Sequence, residues 1–152
     1  MKQELIDALI GISGKDYVFF AHEDIEGYLY DETEEFVRPE ACQDCVVIRP
    51  GTYEEVSAIL KLCNETKTPV IPRGGGTGAC GAAIPTVPSI IMSMERFREI
   101  LEVDETNMMV TCQTGVTLAK LNEYLDEHVH ALYFPCHPGD EGAQMGLSLI
   151  HI

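Results

Sequence analysis

The sequence predicts a mixed fold of helices and strands that begins with a parallel βαβ unit. A β-branched apolar run at residues 45–49 is typical of a strand buried on both faces, and residues 70–72 form a second short strand. Between them, Thr52 and Glu55 form a capping box, which predicts the start of a helix. Because a strand–helix–strand crossover joins parallel strands with a right-handed connection, these three segments define the unit.

Length and charge restrict the class of protein. The 152 residues suffice for one compact domain. The formal net charge of -15 repels phosphate backbones and anionic lipid headgroups, so we expect neither a nucleic-acid partner nor a membrane-surface partner. No apolar run is long enough to span a membrane, and the N-terminus has no basic region before an apolar stretch. We therefore expect a cytoplasmic location.

The six cysteines are expected to be reduced thiols in such a chain. Cys42 and Cys45 form one CxxC pair, but no second CxxC or HxxxH follows at finger-like spacing, so we predict no metal site. Half a zinc site or a redox pair is the weaker alternative. The scattered cysteines are expected to pack as small apolar residues: Cys63, Cys80, Cys112 and Cys136.

Apolar spacing predicts the elements of the first half of the chain. Residues 4–12 form a short amphipathic helix that ends at Ser13-Gly14. The acid-rich stretch 23–40 is interpreted as a solvated connection. The helix that Thr52 caps presents one apolar face, made of Val56, Ile59, Leu60 and Cys63.

The second half of the chain predicts further strands and one more helix. Strands are expected at residues 90–94 and 108–112. A helix follows that Thr117 can cap, and its buried stripe consists of Leu118, Leu121 and Leu125. Residues 133–139 then interrupt regular structure with two prolines.

A glycine-rich turn, Arg73-Gly74-Gly75-Gly76-Thr77-Gly78, directly follows the second strand. Glycine adopts positive φ and allows close approach to the main chain, so such a turn can aim several N–H groups at one anion. Pyrophosphate is the expected ligand, because its oxygens need several hydrogen-bond donors and Thr77 adds a hydroxyl. The alternative is a flexible loop, since the pattern is neither a Walker motif nor a Rossmann motif. Arg73 suits a bidentate phosphate contact, and equally a carboxylate partner.

Several motifs, taken in order, resemble a known family. They are Tyr28-Leu29-Tyr30-Asp31, Val46–Pro50 with Glu54-Glu55-Val56, Pro72–Gly78, Gly81-Ala82-Ala83, Ile91–Met94, Gln113–Val116, and Phe134-Pro135 with Pro138-Gly139. The set covers about residues 25–146 and is similar to the FAD-binding domain of the p-cresol methylhydroxylase/vanillyl-alcohol oxidase (PCMH) type. Within that type it most resembles FAD-linked 2-hydroxy-acid oxidases such as D-lactate dehydrogenase and the FAD subunit of glycolate oxidase.

The resemblance implies an α+β fold, in which a small parallel βαβ subdomain is followed by the start of an antiparallel α+β subdomain. It implies that residues Arg73–Gly78 wrap the FAD pyrophosphate. Gln113 and the segment from Pro138 and Gly139 to Gly146 are expected to face the cofactor. Covalent attachment in this superfamily often uses a histidine near the glycine loop, and residues 73–83 contain none, so we predict non-covalent FAD.

The end of the chain departs from the family. After Gly146, where family members continue into small residues, the sequence reads Leu-Ser-Leu-Ile-His-Ile. We therefore expect a truncated or frame-shifted fragment: an N-terminal helical segment at 1–22, an incomplete FAD-binding domain at 23–146 and an atypical tail at 147–152. The family's catalytic base would lie in a missing part, so we assign no catalytic residue, and His137 and His151 are poor candidates.

Several functions are open at this point. The first is the FAD-binding part of a 2-hydroxy-acid dehydrogenase of the D-lactate or glycolate type, in which FAD accepts a hydride. This part alone is expected to be inactive. An alternative is a binding-only or structural module without turnover, and another is the related cell-wall reductases that use NADPH. The glycolate oxidase resemblance also implies an iron–sulfur or electron-transfer flavoprotein partner.

Overall fold

The computed structural model describes residues 1–129, 131–135 and 141–146. Within these residues the regular structure consists of helices, two sheets and single 3₁₀ turns at Lys15–Tyr17 and Glu26–Tyr28. The helices are α1 (Gln3–Ser13), α2 (His22–Ile25), α3 (Tyr53–Thr66) and α4 (Leu118–His128). The strands are β1 (Val18–Phe19), β2 (Val46–Ile48), β3 (Val70–Arg73), β4 (Ile90–Ser93), β5 (Ile100–Asp104) and β6 (Met109–Cys112).

The larger sheet has the strand order β1-β2-β4-β3. β1 pairs antiparallel with β2, whereas β2 and β3 each pair parallel with β4. Ile91 of β4 lies opposite Val47 on one side and Ile71 on the other. The predicted βαβ unit is confirmed, and β4 lies between its two strands. β2 is buried along its whole length, as predicted for a central strand.

Helix α3 starts where the capping box predicts. The Thr52 hydroxyl accepts from the N–H of Glu55 at 3.1 Å, and the Glu55 carboxylate reaches back to the N–H of Gly51 at 3.0 Å. Ile59 and Cys63 are buried against the sheet, as predicted. Leu60 is 45 % exposed, so its placement on the apolar face is wrong. It follows Ile59 directly, and successive helical positions point about 100° apart.

The two faces of the larger sheet are covered differently. On one face, helices α1 and α3 pack on alternate strand residues; the core there includes Leu9, Val46, Ile48, Ile59, Ile90 and Met92. On the other face, the stretch from 25 to 45 supplies Ile25, Leu29, Ala41 and Cys45 against Val47 and Ile91. The interpretation of residues 23–40 as a solvated connection is therefore wrong. Its acidic residues are mostly exposed, but the apolar ones among them close the core.

A second, antiparallel sheet joins β5 and β6, with α4 against it. The Thr117 hydroxyl accepts from the N–H of Lys120 at 3.2 Å, which confirms the predicted cap. Leu118, Leu121 and Leu125 are buried as predicted. The order of a parallel unit followed by an antiparallel one confirms the expected α+β architecture.

The cysteine predictions hold in part. Cys63 is buried and Cys112 half-buried, whereas Cys80 is exposed on the loop after β3, so its predicted packing is wrong. Cys136 lies outside the described residues. Across the described part of the chain, no cluster of three or more His, Cys, Asp or Glu side chains could hold a metal ion. In the same residues, no helix is both long and apolar enough to cross a membrane.

Candidate functional site

The glycine-rich loop begins at the carboxyl end of β3. In open sheets with parallel strands, ligands bind outside the carboxyl ends of the strands, because the loops there diverge and leave a crevice. Arg49 follows β2 and Glu95 follows β4 at this same edge. The fold therefore brings the predicted anion-binding loop together with the charged residues that end the neighbouring strands.

Two glycines make the loop conformation specific. Gly76 has φ of 75°, a region that residues with a Cβ rarely adopt. A Cβ at Gly75 would stand 2.5 Å from the carbonyl oxygen of Gly142, so this glycine allows the loop to approach the segment 141–146. The structure thus places two stretches that the sequence assigned to the cofactor against each other.

The loop has hydrogen-bond donors to offer. The main-chain N–H groups of Gly74, Gly75, Gly76 and Gly78 donate to no acceptor among the described residues. A run of such amides around a residue of positive φ is suited to bind an anion. The absence of side chains at these positions leaves the main chain accessible. These residues therefore fit a bound pyrophosphate.

Arg73 lies behind this loop and is only 7 % exposed. Its Nη2 donates to the main-chain carbonyl oxygens of Tyr30 at 2.9 Å and Gly27 at 3.3 Å. Its Nη1 is buried and has no hydrogen-bond partner among the described residues. Burial lowers the pKa of Arg73, and the negative charge of Asp31 opposes that effect. Its phosphate contact stays a prediction, and the shown partners are main-chain carbonyls.

Asp31 supplies the negative charge that acts most strongly on Arg73. Its Oδ1 accepts from the N–H of Thr33 at 3.1 Å, and the residue is 9 % exposed. Burial alone would raise the pKa of Asp31, but hydrogen bonds, chiefly from Thr33, and the charge of Arg73 outweigh it and lower the pKa. A Cβ on Gly78 would stand 3.9 Å from Oδ2 of Asp31. Asp31 is therefore an ionised group directly behind the loop.

A polar network links the ends of β2 and β4. Tyr28 Oη donates to Oε1 of Glu95 at 2.8 Å, and Ser93 Oγ donates to the same oxygen at 3.0 Å. Arg49 forms an ion pair with Glu95, with Nε and Oε2 3.2 Å apart, and donates to Tyr28 Oη. Burial raises the pKa of Tyr28. The Arg73 guanidinium carbon lies 5.7 Å from the centre of the Tyr28 ring, so the network continues to the loop.

The sequence missed most of this network. Tyr28 and Asp31 belong to a motif that it singled out, but their roles were not assigned. Arg49 and Ser93 also lie in such motifs, but their contacts with Glu95 carry no local signal, because the network joins positions up to 67 residues apart.

Gln113 and Gly146 are two further predicted cofactor residues. Gln113 lies in the connection from β6 to α4, and Gly146 contacts that connection. Gln113 Oε1 accepts from the N–H of Glu99 at 2.9 Å, and the Gln113 N–H donates to the Glu99 carbonyl at 2.8 Å. The Gly146 N–H donates to the Thr114 carbonyl at 3.0 Å, and a Cβ at Gly146 would overlap the Thr114 side chain. Their contact with a cofactor stays a prediction. Pro138 and Gly139 lie outside the described residues.

A cavity of about 310 Å³ opens between the two subdomains. Its lining includes Glu95, Arg98, Gly115, Thr117, Lys120 and Gln144. Oε1 of Gln144 is buried there and has no partner among the described residues. A larger cavity of about 560 Å³ lies at the amino ends of β3 and β4, beside Leu5 and Pro69. Of these two cavities, only the smaller one adjoins the polar network, and we call it the crevice.

Fold and site define a domain of two subdomains, one with a parallel and one with an antiparallel sheet, whose glycine loop has the amide donors suited to an anionic cofactor. The sequence profile of the FAD binding domain family matches residues 45–146. The chain therefore belongs to the FAD binding domain family, and the predicted cofactor, FAD, is confirmed.

Relatives of known name support the same family. The chain is 47 % identical over 121 residues to a D-lactate dehydrogenase of Archaeoglobus fulgidus, covering 80 % of this chain and 27 % of the relative. It is 31 % identical over 137 residues to the glycolate oxidase subunit GlcD of Bacillus subtilis, covering 90 % of this chain and 28 % of that protein. The chain thus spans just over a quarter of the length of these relatives.

Solved structures confirm the fold. A p-cresol methylhydroxylase with substrate bound superposes with a TM-score of 0.78 at 19 % identity, covering 92 % of this chain and 27 % of that one. The 4-ethylphenol oxidase from Gulosibacter chungangensis superposes with a TM-score of 0.79 at 21 % identity, covering 92 % of this chain and 27 % of that one. The expected PCMH-type fold is therefore confirmed.

Proposed function

We propose that the main chain of residues 74–78 holds the FAD pyrophosphate, and that the chain serves as the FAD-binding part of an enzyme that oxidises a 2-hydroxy acid. The observation that carries the proposal is the set of loop N–H groups without an acceptor among the described residues, set where a Cβ at Gly75 would strike Gly142. Arg73 places a buried positive charge behind them. Gln113, Pro138, Gly139 and Gly146 are proposed as further cofactor contacts.

When bound, FAD supplies the hydride acceptor. The chain's own part in the reaction is to bind and orient it. The loop amides would donate hydrogen bonds to the pyrophosphate and so orient the cofactor relative to the two subdomains. Since residues 73–83 contain no histidine, we propose that the attachment is non-covalent.

The substrate class rests on the relatives. Those named D-lactate dehydrogenase and glycolate oxidase act on 2-hydroxy acids, and both match over most of this chain. The GlcD relative is named as a subunit, which supports a partner subunit for the whole enzyme, and we propose that this partner transfers electrons. A cytoplasmic location is part of the same proposal, supported by the free thiols among the described cysteines.

A binding unit without turnover is the second candidate, and one observation favours it. Glu95 is the carboxylate that lines the crevice, and both its oxygens are engaged, by Tyr28 and Ser93 on one side and Arg49 on the other. Because both oxygens already have partners, we assign Glu95 no role as a base. This observation supports a binding role for the described residues of the crevice.

The test has two steps. The purified chain is mixed with FAD, freed of excess, and its visible spectrum and circular dichroism are recorded. We expect about one flavin per folded chain. D-lactate and glycolate are then added in turn under anaerobic conditions, and bleaching of the flavin absorption band would support turnover. Retained flavin without bleaching is the result expected of this part alone, bleaching would contradict the binding unit, and a folded chain that retains no flavin would contradict both candidates.

A further inference from the structure

Residues 27–33 contact the glycine loop from behind, although they precede the segment 45–146 that the family profile matches. The N–H of Glu32 donates to the carbonyl of Gly78 at 2.9 Å. The Arg73 side chain bridges in the opposite direction, from the start of the loop to the carbonyls of Gly27 and Tyr30. The loop is therefore fastened at both ends to one short N-terminal segment.

The two charges at this contact depend on each other. Asp31 and Arg73 are each more than nine-tenths buried, and each leaves one polar atom without a hydrogen-bond partner among the described residues. No ion pair joins the two among the described residues, so each acts on the other through its charge, and removing either charge leaves the other buried without that compensation. Gly76 makes the loop sensitive to this, because a Cβ there would overlap the Arg73 guanidinium. The main chain of the loop rests on that guanidinium.

We infer that Asp31 and Arg73 form a positioning pair that sets the glycine loop in its FAD-binding shape, so that residues 27–33 are part of the cofactor site without touching the cofactor. This inference rests on the proposed function of the loop. Arg73 orients the loop through the carbonyls it holds, and Asp31 keeps Arg73 in place. Neither side chain needs to reach the phosphates.

A direct phosphate contact by Arg73 predicts the opposite effect of Asp31→Asn on FAD binding. If Arg73 bound phosphate directly, the neighbouring Asp31 carboxylate would compete for it, and Asp31→Asn would leave FAD binding unchanged or tighten it. If the two form a positioning pair, the same substitution releases Arg73 and weakens FAD binding. Asparagine keeps the shape of Asp31 and an oxygen for the Thr33 N–H, so it removes little but the charge.

The experiment compares four variants of the full chain: Asp31→Asn, Arg73→Gln, the double variant, and Arg96→Gln as control. Arg96 also donates to a main-chain carbonyl, that of Arg49 at 3.0 Å, and pairs with Glu55, but it makes no contact with the loop. FAD dissociation constants are measured by quenching of flavin fluorescence, and melting temperatures without FAD. We expect each single variant at the pair to weaken FAD binding at least tenfold, and the double variant to be no weaker than the worse single one. Arg96→Gln should lower the melting temperature without a change in the FAD dissociation constant.

A second measurement does not depend on FAD. In the ¹⁵N-labelled apoprotein, Asp31→Asn should shift or broaden the amide resonances of Gly74–Gly78, whereas Arg96→Gln should leave them in place. Unchanged loop resonances would overturn the inference, even if the unmodified chain bound no FAD and the proposed function failed. FAD binding that weakens in Arg73→Gln but not in Asp31→Asn would overturn it as well and assign Arg73 to the phosphates. Lower melting temperatures of the Asp31 and Arg73 variants with unchanged FAD affinity would contradict the inference and leave the pair only a stabilising role.

Discussion

At the scale of single residues, buried charged groups and thiols provide the measurements that test the structure. Arg73 was predicted as a phosphate or carboxylate partner, and the structure gives it main-chain carbonyls with Asp31 beside it. The glycines were singled out because a turn with positive φ and close main-chain approach favours glycine, and their contact with FAD stays a prediction. The partner of Arg73 was not predictable, because it depends on how a segment 42 residues earlier folds back.

Asp31 makes the stability of the folded chain depend on pH. Its pKa in the folded chain lies below the ordinary value of 3.8, so the carboxylate stabilises the fold above that value, and the contribution is lost as the pH falls through the folded pKa. We expect urea unfolding to show Asp31→Asn as less stable than the unmodified chain at pH 7, with the difference narrowing below about pH 3.8. The exposed Asp126→Asn should change the free energy of unfolding by less than about 0.5 kcal/mol. A difference that grows in acid would contradict the assignment.

The cysteines should react in an order set by burial. Cys80 is exposed, whereas Cys45 is 3 % exposed and burial raises its pKa to about 11. At pH 8, a thiol with that pKa holds about a hundredth of the thiolate it would hold at its ordinary 9.0, and the thiolate is the reactive form. Iodoacetamide should therefore label Cys80 early and Cys45 last, as peptide mass spectrometry would show. Early labelling of Cys45 would mean that β2 opens at its start.

At the scale of elements, the sequence predicted those whose apolar pattern is uninterrupted. β2, α3, β4 and α4 all follow from local spacing and caps. β5 was missed, because Ile100–Asp104 alternates with acidic residues and only half of it faces α4. β1 was missed because its two residues gain a strand conformation only by pairing with Val47 and Ile48. The covering segment at 23–40 was misread, since its acidic residues hide the buried Ile25 and Leu29.

Helix α1 offers a test of the N-terminal element. Gly11 lies within the helix on its exposed side, and a Cβ there would meet nothing within 4 Å. Gly11→Ala should raise the free energy of unfolding by about 0.5–1 kcal/mol, because alanine loses less backbone entropy in a helix. Urea unfolding measures the change. A loss of stability would show that residues 3–13 are not helical in solution.

For the whole molecule, the balance between local dipoles and overall charge decides how an anion reaches the loop. The chain carries a formal net charge of -15, and FAD carries a negative pyrophosphate. The loop amides and Arg73 act at short range, whereas the overall charge repels at longer range and is screened over about 10 Å at 0.1 M salt. Composition alone predicted this conflict, and in the proposed site the loop amides would resolve it.

This balance gives FAD association an unusual dependence on salt. Raising NaCl from about 20 to 200 mM should increase the association rate of FAD about twofold, because screening weakens the long-range repulsion. Stopped-flow quenching of flavin fluorescence measures the rate, with an uncharged co-solute as the control for viscosity. A rate that falls with salt would mean that a positive surface guides FAD, which would contradict an approach governed by the net charge.

The central claim is that residues 74–78 bind the FAD pyrophosphate through their main chain. The most direct measurement is an FAD titration of the unmodified chain, Gly76→Val and Gly11→Ala, followed by flavin fluorescence, with circular dichroism to verify folding. Gly76→Val would place valine at a φ of 75°, which β-branched residues avoid, and the valine Cβ would overlap Arg73. We expect Gly76→Val to keep its secondary structure and lose measurable FAD binding, while Gly11→Ala binds like the unmodified chain. A folded Gly76→Val that binds FAD with unchanged affinity would contradict the claim.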